Sequence, residues 1–137
     1  MFVEDIGKLL VDNHFGTIGG PNGNIFMSSK AKIPIGNGPY ISLIDTGGLV
    51  ALRTQNRKDR PAYDRPAAQI IVRATDYLVA RQRANEVYKT VYAVRNEFIN
   101  EIWYQEMLPL QLPFDGQTDD QNRIKMVFNV RGLCRAI

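Results

Sequence analysis

His14 and Cys134 are the only histidine and cysteine in the chain, so nucleophilic or metal chemistry would have to be built around one of them. His14 follows a helical stretch, a place where histidine commonly satisfies terminal carbonyls. Cys134 sits in an alternating apolar segment and reads as a small core residue, with no histidine near it in sequence to activate a thiol. The stretch Gly16-Thr17-Ile18-Gly19-Gly20-Pro21-Asn22-Gly23 lacks the Gly-Lys-Ser/Thr ending of a phosphate loop and follows a helix, so it reads as a connection. Asp115, Asp119 and Asp120 form the densest carboxylate cluster. Gly116 directly follows Asp115, and Met126 stands where a calcium loop would place its glutamate, so a turn is expected. The basic run Arg53, Arg57, Lys58, Arg60 and Arg65 could touch phosphates, but Asp59 and Asp64 interrupt it. A solvated loop, or one that pairs with acidic patches on a neighbouring subunit, is the expectation. These residues imply no catalytic set, no cofactor and no metal.

The elements that would position them can be read from periodicity. Val3, Ile6, Leu9 and Leu10 fall at helical spacing, which predicts an amphipathic helix from Phe2 to Asn13. Short strands are expected over Asn24–Ser28 and Tyr40–Asp45. The segment from Arg53 to Arg65 has little with which to build a core, and an exposed polar loop or arm is expected around 49–66. Ala67–Ala74 is β-branched and reads as a strand. Thr75 can cap the helix that follows, with Asp76 at its positive end. Tyr77, Ala80, Ala84, Val87, Tyr88, Val91, Val94 and Phe98 recur at threes and fours, predicting a helix from Asp76 to about Phe98. Ile102–Leu108 reads as a strand. The last strand alternates: Ile124, Met126, Phe128, Val130 and Cys134 on one face, Lys125, Asn129 and Arg131 on the other, wet or at an interface. Trp103 and Tyr104 are adjacent and must point to opposite faces, so one large aromatic falls outside a one-sided core.

The expected fold is α+β: a mixed, largely antiparallel sheet of about four to five strands, with an N-terminal helix and one long helix mainly on one face. A chain of 137 residues suits a single domain over 1–137. One cysteine permits no intrachain disulfide, which fits folding in a reducing cytosol. A formal charge of +3 falls short of the dense basic stripe of a dedicated nucleic-acid module. The N-terminus carries early acids and no long apolar run, so neither a signal peptide nor a membrane span is expected.

The block from Arg60 to Arg135 resembles the tail terminator (minor capsid, tail completion) proteins of long-tailed, siphovirus-type bacteriophages. Arg65-Pro66-Ala67-Ala68-Gln69-Ile70-Ile71-Val72-Arg73-Ala74-Thr75-Asp76-Tyr77 is similar to the family's proline-led strand, which ends in an arginine, a small residue and an Asp-Tyr opening a long helix. Leu110-Gln111-Leu112-Pro113-Phe114-Asp115-Gly116 through Arg123, then Asn129-Val130, resembles the family's passage into its final strand. Asn24-Ile25-Phe26 and Ile44-Asp45-Thr46-Gly47-Gly48 resemble its early strand and Asp-Thr-Gly-Gly turn. One departure stands out: the family pattern has a glycine before the closing arginine, where this chain has Asp119-Asp120-Gln121-Asn122.

The resemblance implies a structural virion protein of the tail or neck, assembled in the host cytoplasm. It would form a homo-oligomeric ring, a hexamer, that ends tube polymerisation and forms the tail side of the head–tail interface. Its partners would be the tail tube protein and a head-completion or neck protein, with DNA only passing through the channel. The expected contact residues are Arg53, Arg57, Lys58, Arg60, Tyr63, Arg65, Asp115, Asp119 and Asp120. The competing readings are another neck or head-completion connector and, from a different class, a small nucleic-acid-binding module or enzyme.

Overall fold

The computed structural model describes residues 1–19, 22–28, 31–52 and 63–135. Phe2, Ile6 and Leu10, spaced by four, bury one side of the first helix, α1 (Phe2–Asp12). Each such side chain removed from water contributes about 1.5–3 kcal/mol. Then follow β1 (Ile25–Met27), β2 (Tyr40–Asp45), β3 (Leu49–Leu52), β4 (Tyr63–Arg65) and β5 (Ala67–Ala74). The second helix, α2 (Tyr77–Tyr92), leads to β6 (Arg95–Ile99), β7 (Ile102–Pro109), β8 (Phe114–Thr118) and β9 (Ile124–Arg135).

The fold is α+β as expected, but the described residues form a sheet of nine strands, not four to five. The five expected strands are present, and four more arise from segments read otherwise. Leu49–Leu52 and Tyr63–Arg65 are antiparallel partners at the base of what was expected to be a polar arm. Phe114–Thr118 pairs with β9 although proline and glycine flank it. Arg95–Ile99 was expected to continue the long helix. Instead α2 stops at Tyr92, and Asn96 takes a left-handed φ of 51°. Asn100 and Glu101, at φ 50° and 67°, then make a two-residue turn into β7, with Ile99 opposite Ile102. The cap also differs: the Asp76 carboxylate accepts from the Leu78 N–H at 2.9 Å, while the Thr75 N–H goes to the Asn37 carbonyl.

β9 is the spine. Its first half pairs with β5 on one side and β8 on the other, and its second half pairs with β4 and β7. The path across the sheet is β1-β2-β5-β9-β4-β3, with β7 and then β6 branching from β9. Only β1–β2 is parallel among the paired strands. Both helices contribute to one core on one face: Ala80, Ala84, Val87 and Val91 of α2 join Phe2, Ile6 and Leu10 over Ile70, Val72, Phe128, Val130 and Cys134. Tyr88 adds an edge-on ring contact to Phe128 at 5.7 Å. Gly132 lies beneath Phe2, where a Cβ would come within 2.8 Å of the ring.

The alternation in β9 holds for Met126, Phe128, Val130 and Cys134, which are buried, with Lys125, Asn129 and Arg131 on the opposite face; Ile124 is only half-buried, and Val127 is buried on the face expected to be wet or at an interface. Trp103 and Tyr104 divide as expected too. Tyr104 is buried in the core, while Trp103 meets the exposed Phe98 edge-on at 4.9 Å.

Candidate functional site

The acidic turn between β8 and β9 is built around Asp119. Its Oδ1 accepts the Gln121 and Arg123 backbone N–H groups at 3.0 and 2.9 Å, and its Oδ2 accepts the Arg123 Nε–H at 2.9 Å. Arg73 reaches the same oxygen from β5 at 3.5 Å and also donates to the Ser42 hydroxyl. Arg123 is only 2% exposed; it donates onward to the Pro34 carbonyl at 2.7 Å and lies 5.2 Å from the centre of the Tyr40 ring. The turn is thereby fastened to β5, β2 and the 31–39 connection. Burial alone would raise the Asp119 carboxyl, but the hydrogen bonds from Arg123 and Gln121, with the Arg123 charge, hold it below its ordinary value. Asn122 closes the stretch in which the resemblance leads one to expect a glycine. Its φ of 58° is the left-handed conformation that glycine would supply, and asparagine tolerates it better than most residues.

Asp115 and Asp120, in contrast, face solvent, and Asp115 only accepts the Gln117 N–H at 2.9 Å. At the opposite end of β9, Tyr63 stands beside Arg135 and its hydroxyl accepts from the Gln105 amide at 3.3 Å. Arg65 donates through Nε and Nη2 to the Val50 carbonyl, bracing β4 against β3. Arg53, Arg57, Lys58 and Arg60 lie outside the described residues. The structure therefore places Asp119 and Asp120 in one turn, with Asp115 on β8 before it, and Tyr63 and Arg65 together on β4. It does not bring the two groups to each other.

Two exposed apolar runs were missed by the sequence reading. Leu49, Val50 and Leu52 on β3 are 56%, 83% and 40% exposed, at the end of the sheet path. Leu110, Leu112 and Phe114 form a second exposed run between β7 and β8. An exposed apolar edge strand is a template for pairing with another chain. Its signal was present in Leu49-Val50-Ala51-Leu52, but the charged segment after it obscured the run.

The remaining chemistry is structural. Asp5, 1% exposed, accepts from the Tyr104 hydroxyl and, at 3.0 Å, from the Asn100 amide, tying α1 to the β6–β7 turn. Burial, together with this carboxylate, raises the Tyr104 hydroxyl above its ordinary value. Tyr104→Phe is expected to destabilise the fold by about 1.5–3 kcal/mol, since it removes a hydroxyl donor from a buried carboxylate; a urea midpoint unchanged from wild type would refute this. Burial likewise pushes the Cys134 thiol up to about 11, which leaves it a poor nucleophile at neutral pH. His14 is exposed and gives its backbone N–H to the Val11 carbonyl at the end of α1. Asn24 orders the glycine-rich stretch by accepting the Thr17 N–H and donating to the Phe15 carbonyl. Among the described residues, no three His, Cys, Asp or Glu side chains converge to hold a metal.

The family model for the bacteriophage tail terminator protein matches residues 37–131, from the connection before β2 to the middle of β9. The chain belongs to the bacteriophage tail terminator family. No curated protein matches it. Family membership makes the chain a structural component of the virion tail that interacts with other phage tail or head proteins. Among the described residues, no helix is long and apolar enough to cross a membrane.

Proposed function

We propose that the chain caps the tail tube as a homohexameric ring, ending tube polymerisation and presenting its other side to a head-completion or neck protein. DNA would pass through the channel, and the chemistry would be surface complementarity without a covalent step. One observation supports the reading: among the described residues, Tyr63 and Arg65 on β4 lie near one end of β9, and Asp115 and Asp120 lie near the other. Tyr63, which follows the basic segment in sequence, pairs with Arg135 of β9 and Arg65 pairs with Leu49 of β3, while Asp115 pairs with Met126 near the Ile124 end and Asp120 lies in the turn before it. Those ends are roughly 35 Å apart at about 3.3 Å per residue. Unlike surfaces on opposite sides mate head to tail, and such contacts close into a ring when the rotation permits. The basic element comprises Arg53, Arg57, Lys58, Arg60, Tyr63 and Arg65; the acidic element comprises Asp115 and Asp120, with Asp119 holding the turn in shape.

A charge swap tests this pairing. Reversal of Arg57, Lys58 and Arg60 to glutamate is expected to reduce the hexamer fraction, as is reversal of Asp115 and Asp120 to lysine. Mixing the two variants should restore mixed oligomers, measured by native mass spectrometry with and without tail tube protein. A wild-type protein that stays monomeric when tube protein is added would rule the ring out, and failure of the mixture to recover would rule out this pairing.

A further inference from the structure

The face of the sheet opposite the helices carries three cations on β9 that make no ion pair among the described residues. Lys125, Arg131 and Arg135 share that face, with Val127, Asn129 and Leu133 between them. The acids nearby are Glu106, opposite Leu133 between the two arginines, and Asp119 and Asp120, which act on Arg73 opposite Lys125. None of Lys125, Arg131 and Arg135 has an ion-pair partner among the described residues.

The neighbours explain why these charges stay free. Arg131 is flanked by Ala67 and Leu108, which offer no acceptor side chain. Arg135 stands beside Tyr63 and lies 5.9 Å from the centre of the Trp103 ring. Lys125 is directly opposite Arg73, an unfavourable pairing of like charges. Arg73 is satisfied by Asp119, but Lys125 is not. Gln69 and Asn129, paired across β5 and β9, add amides between the cations.

We infer that this sheet face is a sequence-independent contact surface for the phosphate backbone of duplex DNA. Lys125 and Arg135 are ten residues apart on one strand, hence roughly 33 Å at about 3.3 Å per residue. That span is close to one turn of duplex, ~34 Å. Three cations without ion-pair partners among the described residues, spread along one strand, suit a linear polyanion of high, uniform charge density. The row is short, so the contact is weak and lost readily with salt. This inference goes beyond the ring reading and does not require a ring.

The test uses the full chain and a labelled mixed-sequence duplex of about 20 base pairs, followed by fluorescence anisotropy across a salt series. Wild type should bind, with log K falling linearly against log salt. The double variant K125Q/R131Q should flatten that slope by about two and weaken binding at low salt by roughly tenfold. R81Q, on exposed positions of α2, should leave both unchanged. If K125Q/R131Q melts at a lower temperature than wild type, the charge-conserving K125R/R131K keeps the question open to refutation, because it must retain the wild-type slope. Absence of duplex binding at 50 mM salt overturns the inference. So does an equal loss in R81Q, or displacement of the duplex by poly-glutamate of matched charge, which would assign the face to an acidic protein. Native mass spectrometry on the same samples separates the two readings: oligomers without DNA binding overturn only this inference, and DNA binding by an obligate monomer overturns only the ring.

Discussion

Asp119→Ala is expected to cost about 3–5 kcal/mol of folding stability, because it leaves the Arg123 guanidinium buried without its carboxylate. The change removes more than an ion pair. The same carboxylate accepts two backbone N–H groups of the turn, so those donors lose their acceptor as well. Urea denaturation of wild type and variant would give the difference directly, and a cost below 1 kcal/mol would show that the turn is not fastened through this residue. Asp119→Asn should fall between the two, since it preserves shape and one acceptor oxygen but removes the charge.

The pH dependence of the wild type follows from the same group. The folded Asp119 carboxyl is held below its ordinary value of 3.8, so folding favours the ionised form. Its contribution is fully present above pH 3.8 and is lost as pH falls from there through the lower folded value. Asp119→Asn should lack that segment of the acid limb. Parallel acid profiles for the two proteins would contradict the assignment.

Gly48→Ala is the second substitution expected to be severe, at about 3 kcal/mol or more. Gly48 has φ 91°, a conformation that costs an L residue about 1–2 kcal/mol by itself. A Cβ there would also run into the Arg65 carbonyl oxygen, with the Pro66 Cα and Ala67 N at 2.8 Å. These are backbone atoms at the junction of β4 and β5, so relief would require the strands to separate. Gly47 supplies the control: it has the same φ of 91°, but nothing lies within 4 Å of its Cβ position. Gly47→Ala should therefore lose only the conformational part. Thermal melts that rank the two variants equally would show that the close approach is not limiting. The Asp-Thr-Gly-Gly turn thus has a steric reason for its second glycine and only a conformational one for its first, with Asp45 accepting the Gly47 N–H at 2.7 Å.

What was legible in the sequence was what periodicity encodes. The strands over 40–45, 67–74 and 124–135 follow from β-branched runs or alternation, and the buried set of α2 follows from its threes and fours. The strand of 95–99 was not legible, because Val94 and Phe98 continue a helical spacing by coincidence. Val94 is buried after the helix ends, and Phe98 is 66% exposed on the far face of the sheet. The turn that defines this strand also hides itself, since glutamate at a positive φ, as in Glu101, is rare. Of the candidate contact residues, sequence located the charges but could not distinguish their roles. Asp115 and Asp120 are surface groups, whereas Asp119 is 9% exposed and fastens the turn. That difference depends on Arg123, in the turn itself, and on Arg73, which reaches Asp119 from β5. The basic row on the open face was visible only as the polar half of an alternation. Its significance came from the alanine, leucine, tyrosine and tryptophan that flank it across neighbouring strands.

The position of β9 in the sheet also governs when a subunit can exist at all. β4, β5, β7 and β8 each find a partner in β9, and β9 is synthesised after all of them. While a ribosome is still upstream of Ile124, β8 has no strand partner and β5 has only β2, so the two halves of the sheet remain unjoined. Long-range pairing of this kind is slow and cooperative. A chain that stops before Ile124 would lack the strand common to both halves. Synthesis of β9 thus becomes a precondition for a joined sheet, an inspection step written into strand order.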